Sequence, residues 1–183
     1  SGALFNSDST APTVSGAITL SAASTIKSQS IANLTLGTID GGHALEIDGP
    51  AETVFAAAVG GSTALTSLVI SGSSTINGGS VTTNETQRYG GLVTLGADAT
   101  MTAAGFSADA IVLGANELTL VETGTGSITG SISGTGAFIK WGTGSTALSG
   151  VNTYIGATTI TAGTLKGDAA GVISDGSAVS IAS

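Results

Sequence analysis

An all-β parallel solenoid of about eight coils is the fold this sequence predicts, and three observations predict it. Glycine occurs 29 times in 183 residues, set between short runs in which apolar residues alternate with Ser and Thr. Alternation at period two marks a strand with one buried face, and glycine marks the corners between strands. Segments also repeat: 16–26, GAITLSAASTI, aligns without gaps with 91–101, GLVTLGADATM. That offset reads as three coils of about 25 residues each. Finally, only 9% of residues are charged while 41% are hydrophobic. Disordered chains are usually charged and poor in apolar residues. Stacked coils, by contrast, pair every backbone group and can be built from small side chains.

Taken in order, residues 1–13 read as a lead-in segment with one apolar pair, Leu4 and Phe5, and residues 14–183 as a single solenoid. The first coil runs through Val14–Leu20 and closes by Ile26. Ile31, Leu34 and Leu36 mark a further strand, Asp40-Gly41-Gly42 a turn, and Ala44–Ile47 a strand that Asp48-Gly49-Pro50 breaks. Residues 51–59, AETVFAAAV, contain helix formers, yet the run between Pro50 and Gly60-Gly61 is short for an isolated helix. Strand or irregular structure is expected there. Leu65, Leu68, Ile70, Ile76 and Val81 then continue the strand pattern. At one strand spacing of about 4.8 Å per coil, eight coils make a rod of roughly 40 Å. Val, Ile, Leu and Phe would stack inside it, with Thr and Ser outside.

The most regular stretch is 134–165, GTGAFIKWGTGSTALSGVNTYIGATTITAGTL. Gly134, Gly136, Lys140, Gly142, Gly144, Leu148, Ser149, Gly150, Asn152, Thr153, Tyr154, Gly156, Thr158, Ile160, Gly163, Thr164 and Leu165 fall on the pattern of a known repeat. This stretch resembles the autotransporter-associated β-strand repeat of bacterial exported passenger domains. Phe138 stands where the repeat usually has Leu, and Trp141 is unusual at its position. Thr53–Ala103 is similar, more loosely, to repeats of filamentous-haemagglutinin-like adhesins. The resemblance implies a right-handed parallel β-helix in a large surface protein. Within it, the glycines and the Asn152-Thr153-Tyr154 segment read as corner-makers.

A net charge of −8 and a pI near 4.1 oppose binding to nucleic acid or to anionic membranes. Lys27, Arg88, Lys140 and Lys166 are too few and too scattered for a phosphate-binding stripe. No apolar run approaches the roughly 18–20 residues that span a bilayer, and no export signal stands among these residues. Cysteine is absent, which excludes disulfides and thiolate metal sites.

Candidate chemistry is sparse. His43 is the one histidine and sits at a turn. Carboxylates at Asp40, Glu46 and Asp48, or at Asp98 and Asp109, are candidates for an acid/base pair of a polysaccharide-active enzyme. They lack an accompanying aromatic platform or a cation. Calcium-binding nonapeptides are absent, so Asp40, Asp48, Asp98 and Asp175 read as turn formers, and no cofactor or metal is expected. The Thr-x-Thr pairs 100/102, 123/125 and 159/161 are not expected to recur at the coil period and read as generic solenoid surface. Asn33 and Asn84 read as chance sequons. Trp141 beside Lys140 is a possible contact residue, though packing over a neighbouring coil is the preferred reading. Arg88-Tyr89 reads as a cation–π or stacking pair. With His43, these four make up the candidate contact set.

The function expected is a structural or adhesive module, not an enzyme, of an extracellular or bacterial outer-surface protein. It would act as a rigid stalk or fibre segment. Its partners would be adjoining passenger repeats, other copies of itself, or host or cell-surface glycans and proteins. Two alternatives stand beside it: a filament subunit stacking end to end, and a polysaccharide-active enzyme.

Overall fold

Side chains that alternate in and out, with a corner every few residues, give a coil whose backbone can pair only with the coils before and after it. A computed structural model of the chain describes residues 2–6, 11–28, 32–168 and 170–182. It shows a parallel β-solenoid of about eight turns with three faces, and no helix among the described residues. Ile31, predicted to open a strand, lies outside the described residues.

The first face is a nine-stranded sheet: Gly2–Asn6, Ser24–Ser28, Leu45–Asp48, Leu68–Ile70, Thr86–Tyr89, Gly105–Ala108, Thr125–Ile128, Ser145–Leu148 and Thr164–Gly167. The second carries seven strands, from Thr13–Val14 through Leu34–Leu36, Thr53–Phe55, Ser74–Ile76, Val93–Leu95 and Ile111–Gly114 to Ile132–Gly134. The third carries six: Ser80–Thr82, Ala99–Ala103, Leu118–Glu122, Phe138–Trp141, Thr158–Ile160 and Val179–Ile181. The pair Ile18–Thr19 and Ile39–Asp40 extends this face through bridges of Ile39 to Val59 and of Val59 to Val81. Every pairing is parallel, and the chain visits the three faces in rotation. The segment 51–59 is a short strand at Thr53–Phe55 and a bridge at Val59, with no helical turn.

Coils are shorter than the repeat offset suggests. Ser24 stands in register with Leu45, Leu45 with Leu68, Leu68 with Gln87 and Ser127 with Ala147, and each of these steps is one full coil. The similarity of 16–26 to 91–101 therefore does not span whole coils. Ile18 lies on the third face while its counterpart Val93 lies on the second; Ile26 lies on the first while Met101 lies on the third. All three faces ask for the same thing, an alternating strand after a corner, so one motif can serve any of them.

Inside, the first face stacks Ile26, Ile47, Ile70, Tyr89, Ala108, Ile128 and Leu148 in one column, all buried. Outside, the third face stacks Ser80, Thr100, Thr119, Ile139, Thr159 and Ser180 in one column and Thr82, Thr102, Val121 and Trp141 in the next. The pairs Thr100/Thr102 and Thr159/Thr161 thus share a face, three coils apart. The coils between them carry Thr119 with Val121 and Ile139 with Trp141, and Thr125 lies on the first face, so the paired threonines do not recur from coil to coil, in line with the expectation.

Corners need glycine for two distinct reasons. Gly142 takes φ of +86°, and a Cβ there would run into the Glu122 backbone. Gly136 has an ordinary φ but lies so close to the Asn116 backbone that no side chain fits. Among the described residues, two hydroxyls are buried without a partner, Ser74 Oγ and Thr83 Oγ1. Thr83→Val keeps the shape and removes the unpaired group, a gain of about 1 kcal/mol. Scanning calorimetry should show Tm rising by roughly 2–4 °C for a chain of this size. An unchanged or lower Tm would mean that the hydroxyl is satisfied.

Candidate functional site

Alternation decides where each candidate side chain points. On Thr86–Tyr89 the inward residues are Gln87 and Tyr89, and the outward residue between them is Arg88. Tyr89 is buried, stacks 5.6 Å from Phe106 in a tilted pair, and donates its hydroxyl to Gln87 Oε1 at 3.1 Å. Burial pushes its phenol well above the ordinary value. Arg88 and Tyr89 therefore face opposite sides of the sheet, and the expected cation–π pair does not form. Arg88 lines a shallow groove of about 410 Å³ with Ser107, Asp109, Ser127 and Thr129. Two ion pairs occur among the described residues, Lys27–Asp48 at 3.5 Å and Lys166–Asp168 at 2.7 Å, and neither involves Arg88.

The same parity inverts the expectation for Lys140 and Trp141. Phe138 and Lys140 point inward and Trp141 outward. Lys140 is fully buried, in register between Leu120 and Ile160, so it is not a surface contact. Its Nζ donates to the carbonyls of Trp141 at 2.9 Å and Gly142 at 3.3 Å. Trp141 is 53% exposed instead of packed away as preferred. His43 sits half-buried at the turn before Leu45–Asp48, its amide bonded to the Gly41 carbonyl at 2.7 Å. The five candidates lie on two faces and a turn and do not converge.

The carboxylates weighed for acid/base work hold turns and edges. Asp40 Oδ1 accepts the amides of Ser62 at 2.8 Å and Thr63 at 3.0 Å. Those bonds, from Thr63 first, hold its carboxyl below the usual range. Asp98 Oδ1 accepts the Glu117 amide at 2.8 Å, Glu46 the Thr25 hydroxyl at 3.4 Å, and Asp109 the Thr129 hydroxyl at 3.4 Å. Asp48 pairs with Lys27. No group of three or more His, Asp or Glu is placed to hold a metal among the described residues.

Two polar clusters inside the coil escaped the sequence reading. Leu118, Leu120 and Glu122 share one parity, so Glu122 points into the interior and is fully buried. Its carboxylate accepts the Phe106 amide at 3.0 Å and the Thr146 hydroxyl. It fills the space that a side chain at Gly126 would need, since Gly126 follows Phe106 in the inward column of the first face. Burial raises the carboxyl, against the opposing pull of Thr146, Lys140 and the Phe106 amide. Burial lowers the Lys140 ammonium, with Glu122 pulling the other way. Strict alternation from Leu118 and from Phe138 is the signal that could have found both.

The second cluster belongs to the regular repeat. Along the second face, the first inward amide of each strand donates to a carbonyl of the next coil, as Val93 does to Ala110 and Ile111 to Ser131. Ile132 instead donates to Asn152 Oδ1 at 2.6 Å, and Asn152 Nδ2 donates onward to the Val172 carbonyl. A side-chain amide thus continues the ladder where no regular strand follows. Two residues on, Tyr154 is buried edge-on to Phe138 at 6.4 Å, and its hydroxyl meets Thr158 Oγ1 at 2.6 Å. Asn152 and Tyr154 are consequently interior, and only Thr153 between them is exposed.

Residues 138–166 match the Passenger-associated-transport-repeat family. The chain carries this repeat within a β-solenoid, in line with the exported-repeat resemblance of Gly134–Leu165. Comparison with curated proteins and with solved structures gives no match. No described helix is long and apolar enough to cross a membrane.

Proposed function

We propose that this chain is a rigid, adhesive stalk segment of a bacterial protein displayed on the outer surface or released outside the cell. A structural β-solenoid module of surface or secreted type accords with the transport repeat within a continuous parallel ladder. The single observation that carries the stalk reading is that the polar chemistry of the repeat is spent inward. Lys140, Asn152, Tyr154 and Thr158 are all buried and satisfied by protein groups. Such residues secure coils against one another and leave none of these groups for a substrate, as a load-resisting rod requires.

The transport repeat within a stacked parallel ladder supports adjoining repeats or other copies of the chain as partners. The localisation is tested on intact producing cells, with an antibody raised against the purified chain and an externally added protease. Labelling and cleavage, or recovery from the medium, are expected. Confinement to the interior of unbroken cells would overturn the proposal.

A further inference from the structure

We infer that the outer surface of the third face, centred on Trp141, binds a neutral polysaccharide chain lying along the solenoid axis. The inference rests on the adhesive reading above and names the ligand class.

Three observations carry it. First, Trp141 is the exposed aromatic of the described side chains; Phe55, Tyr89, Phe106, Phe138 and Tyr154 are all buried. Second, the two outward columns around it contain no ionisable residue, the first over six coils and the second over four. The first face, by contrast, turns Glu46, Arg88 and Lys166 outward. Third, hydroxyls follow one another at coil spacing, about 4.8 Å: Ser80, Thr100 and Thr119 in the first column, Thr82 and Thr102 in the second.

A sugar polymer presents what this surface lacks and complements. The indole offers a flat apolar plate for the C–H face of a pyranose ring, and Val121 and Ile139 extend it. The Thr ladder offers donors and acceptors for successive ring hydroxyls. Charge selects the neutral class. The face holds no cation for a uronate, and Asp98 and Glu117 at the corner entering it repel anionic polymers in a chain of net charge −8. A protein partner fits less well, because interface cores cluster several aromatic and aliphatic anchors. Here one Trp stands among part-buried Val121 and Ile139 and small hydroxylated residues.

Trp141 is the chain's single tryptophan, so its emission reports this face alone. The purified chain is titrated with cello-oligosaccharides, malto-oligosaccharides, mannan and, as the acidic counterpart, polygalacturonate. Retention in affinity gels is read in parallel. At least one neutral probe should blue-shift the emission and retard the protein, with Trp141→Ala weakening retention at least tenfold. Thr119→Glu, which places a charge on the face without touching the Trp, should weaken it likewise, and Arg88→Ala should leave it unchanged. The inference fails if no neutral probe shifts the emission, if Trp141→Ala binds as well as the parent, or if polygalacturonate is preferred. It also fails if the emission shifts with protein concentration alone while the sedimentation coefficient rises, which assigns the face to a second copy. Failure here with surface exposure intact leaves the stalk reading standing.

Discussion

Glu122→Ala should lower stability by about 3 kcal/mol, within the range for breaking a buried charged group out of its network. For a chain of this size the expected fall in Tm is roughly 6–12 °C. Three losses combine. The Phe106 amide and the Thr146 hydroxyl lose the acceptor that holds them. The space beside Gly126 that the carboxylate fills becomes a cavity. Lys140 loses the opposite charge that offsets its burial. Thermal unfolding followed by circular dichroism measures the effect, and a fall under about 1 kcal/mol would mean that water reaches the carboxylate.

The amide variant separates shape from charge. Glu122→Gln keeps an acceptor for Phe106 and a partner for Thr146. In the parent, burial raises the folded-state pKa of Glu122 above the unfolded value of about 4.3. Between those values the folded state binds more protons than the unfolded state, so the group's contribution to stability falls as pH rises. Glu122→Gln lacks that slope. The stability of the parent relative to the variant should therefore be greatest at the acid end of the window and decline as pH rises through the folded pKa. A difference that is flat, or that grows with pH, contradicts a buried and protonation-favouring site.

How far these features are legible in the sequence depends on what period-two alternation can say. It places Leu34, Leu36, Leu45, Ile47, Leu68 and Ile70 inside, and all are buried. It cannot give coil length, because corners of variable size separate the short strands and each corner resets the count. Hence the offset between 16–26 and 91–101 reads as whole coils, although the paired segments sit on different faces. Lys140, Tyr89 and Glu122 elude a reading that weighs side-chain polarity above parity. Parity wins where the interior supplies partners. Glu122 finds the Phe106 amide and the Thr146 hydroxyl on other strands, far off in sequence, so no local pattern announces them. Lys140 finds the Trp141 and Gly142 carbonyls, which come within reach only because the chain turns a corner at Gly142. Trp141 shows the converse: an aromatic residue assigned to packing stands outward because Phe138 and Lys140 fix its side.

Asn152→Ala tests the same principle inside the transport repeat, and its effect should rival that at Glu122. The asparagine substitutes for a peptide group in the second-face ladder: Oδ1 takes the Ile132 amide where a backbone carbonyl serves the preceding coils, and Nδ2 bonds the Val172 carbonyl. Removing it leaves one buried donor and one acceptor unpaired, at about 1–3 kcal/mol each, or roughly 2–6 kcal/mol together. The damage should be local. Hydrogen exchange at Ile132 should accelerate strongly, while amides of the first coils, such as Leu45 and Leu68, keep their protection, because coils couple mainly to their neighbours. Asn152→Asp discriminates further. A carboxylate can still accept from Ile132 but meets the Val172 carbonyl with no proton to offer, so restoration should be partial near neutral pH. If Asp matches Asn there, the bond to Val172 contributes nothing and the residue acts as a simple acceptor cap. If Asp instead falls at or below Ala, the onward bond to the last coils is what the repeat's asparagine is for.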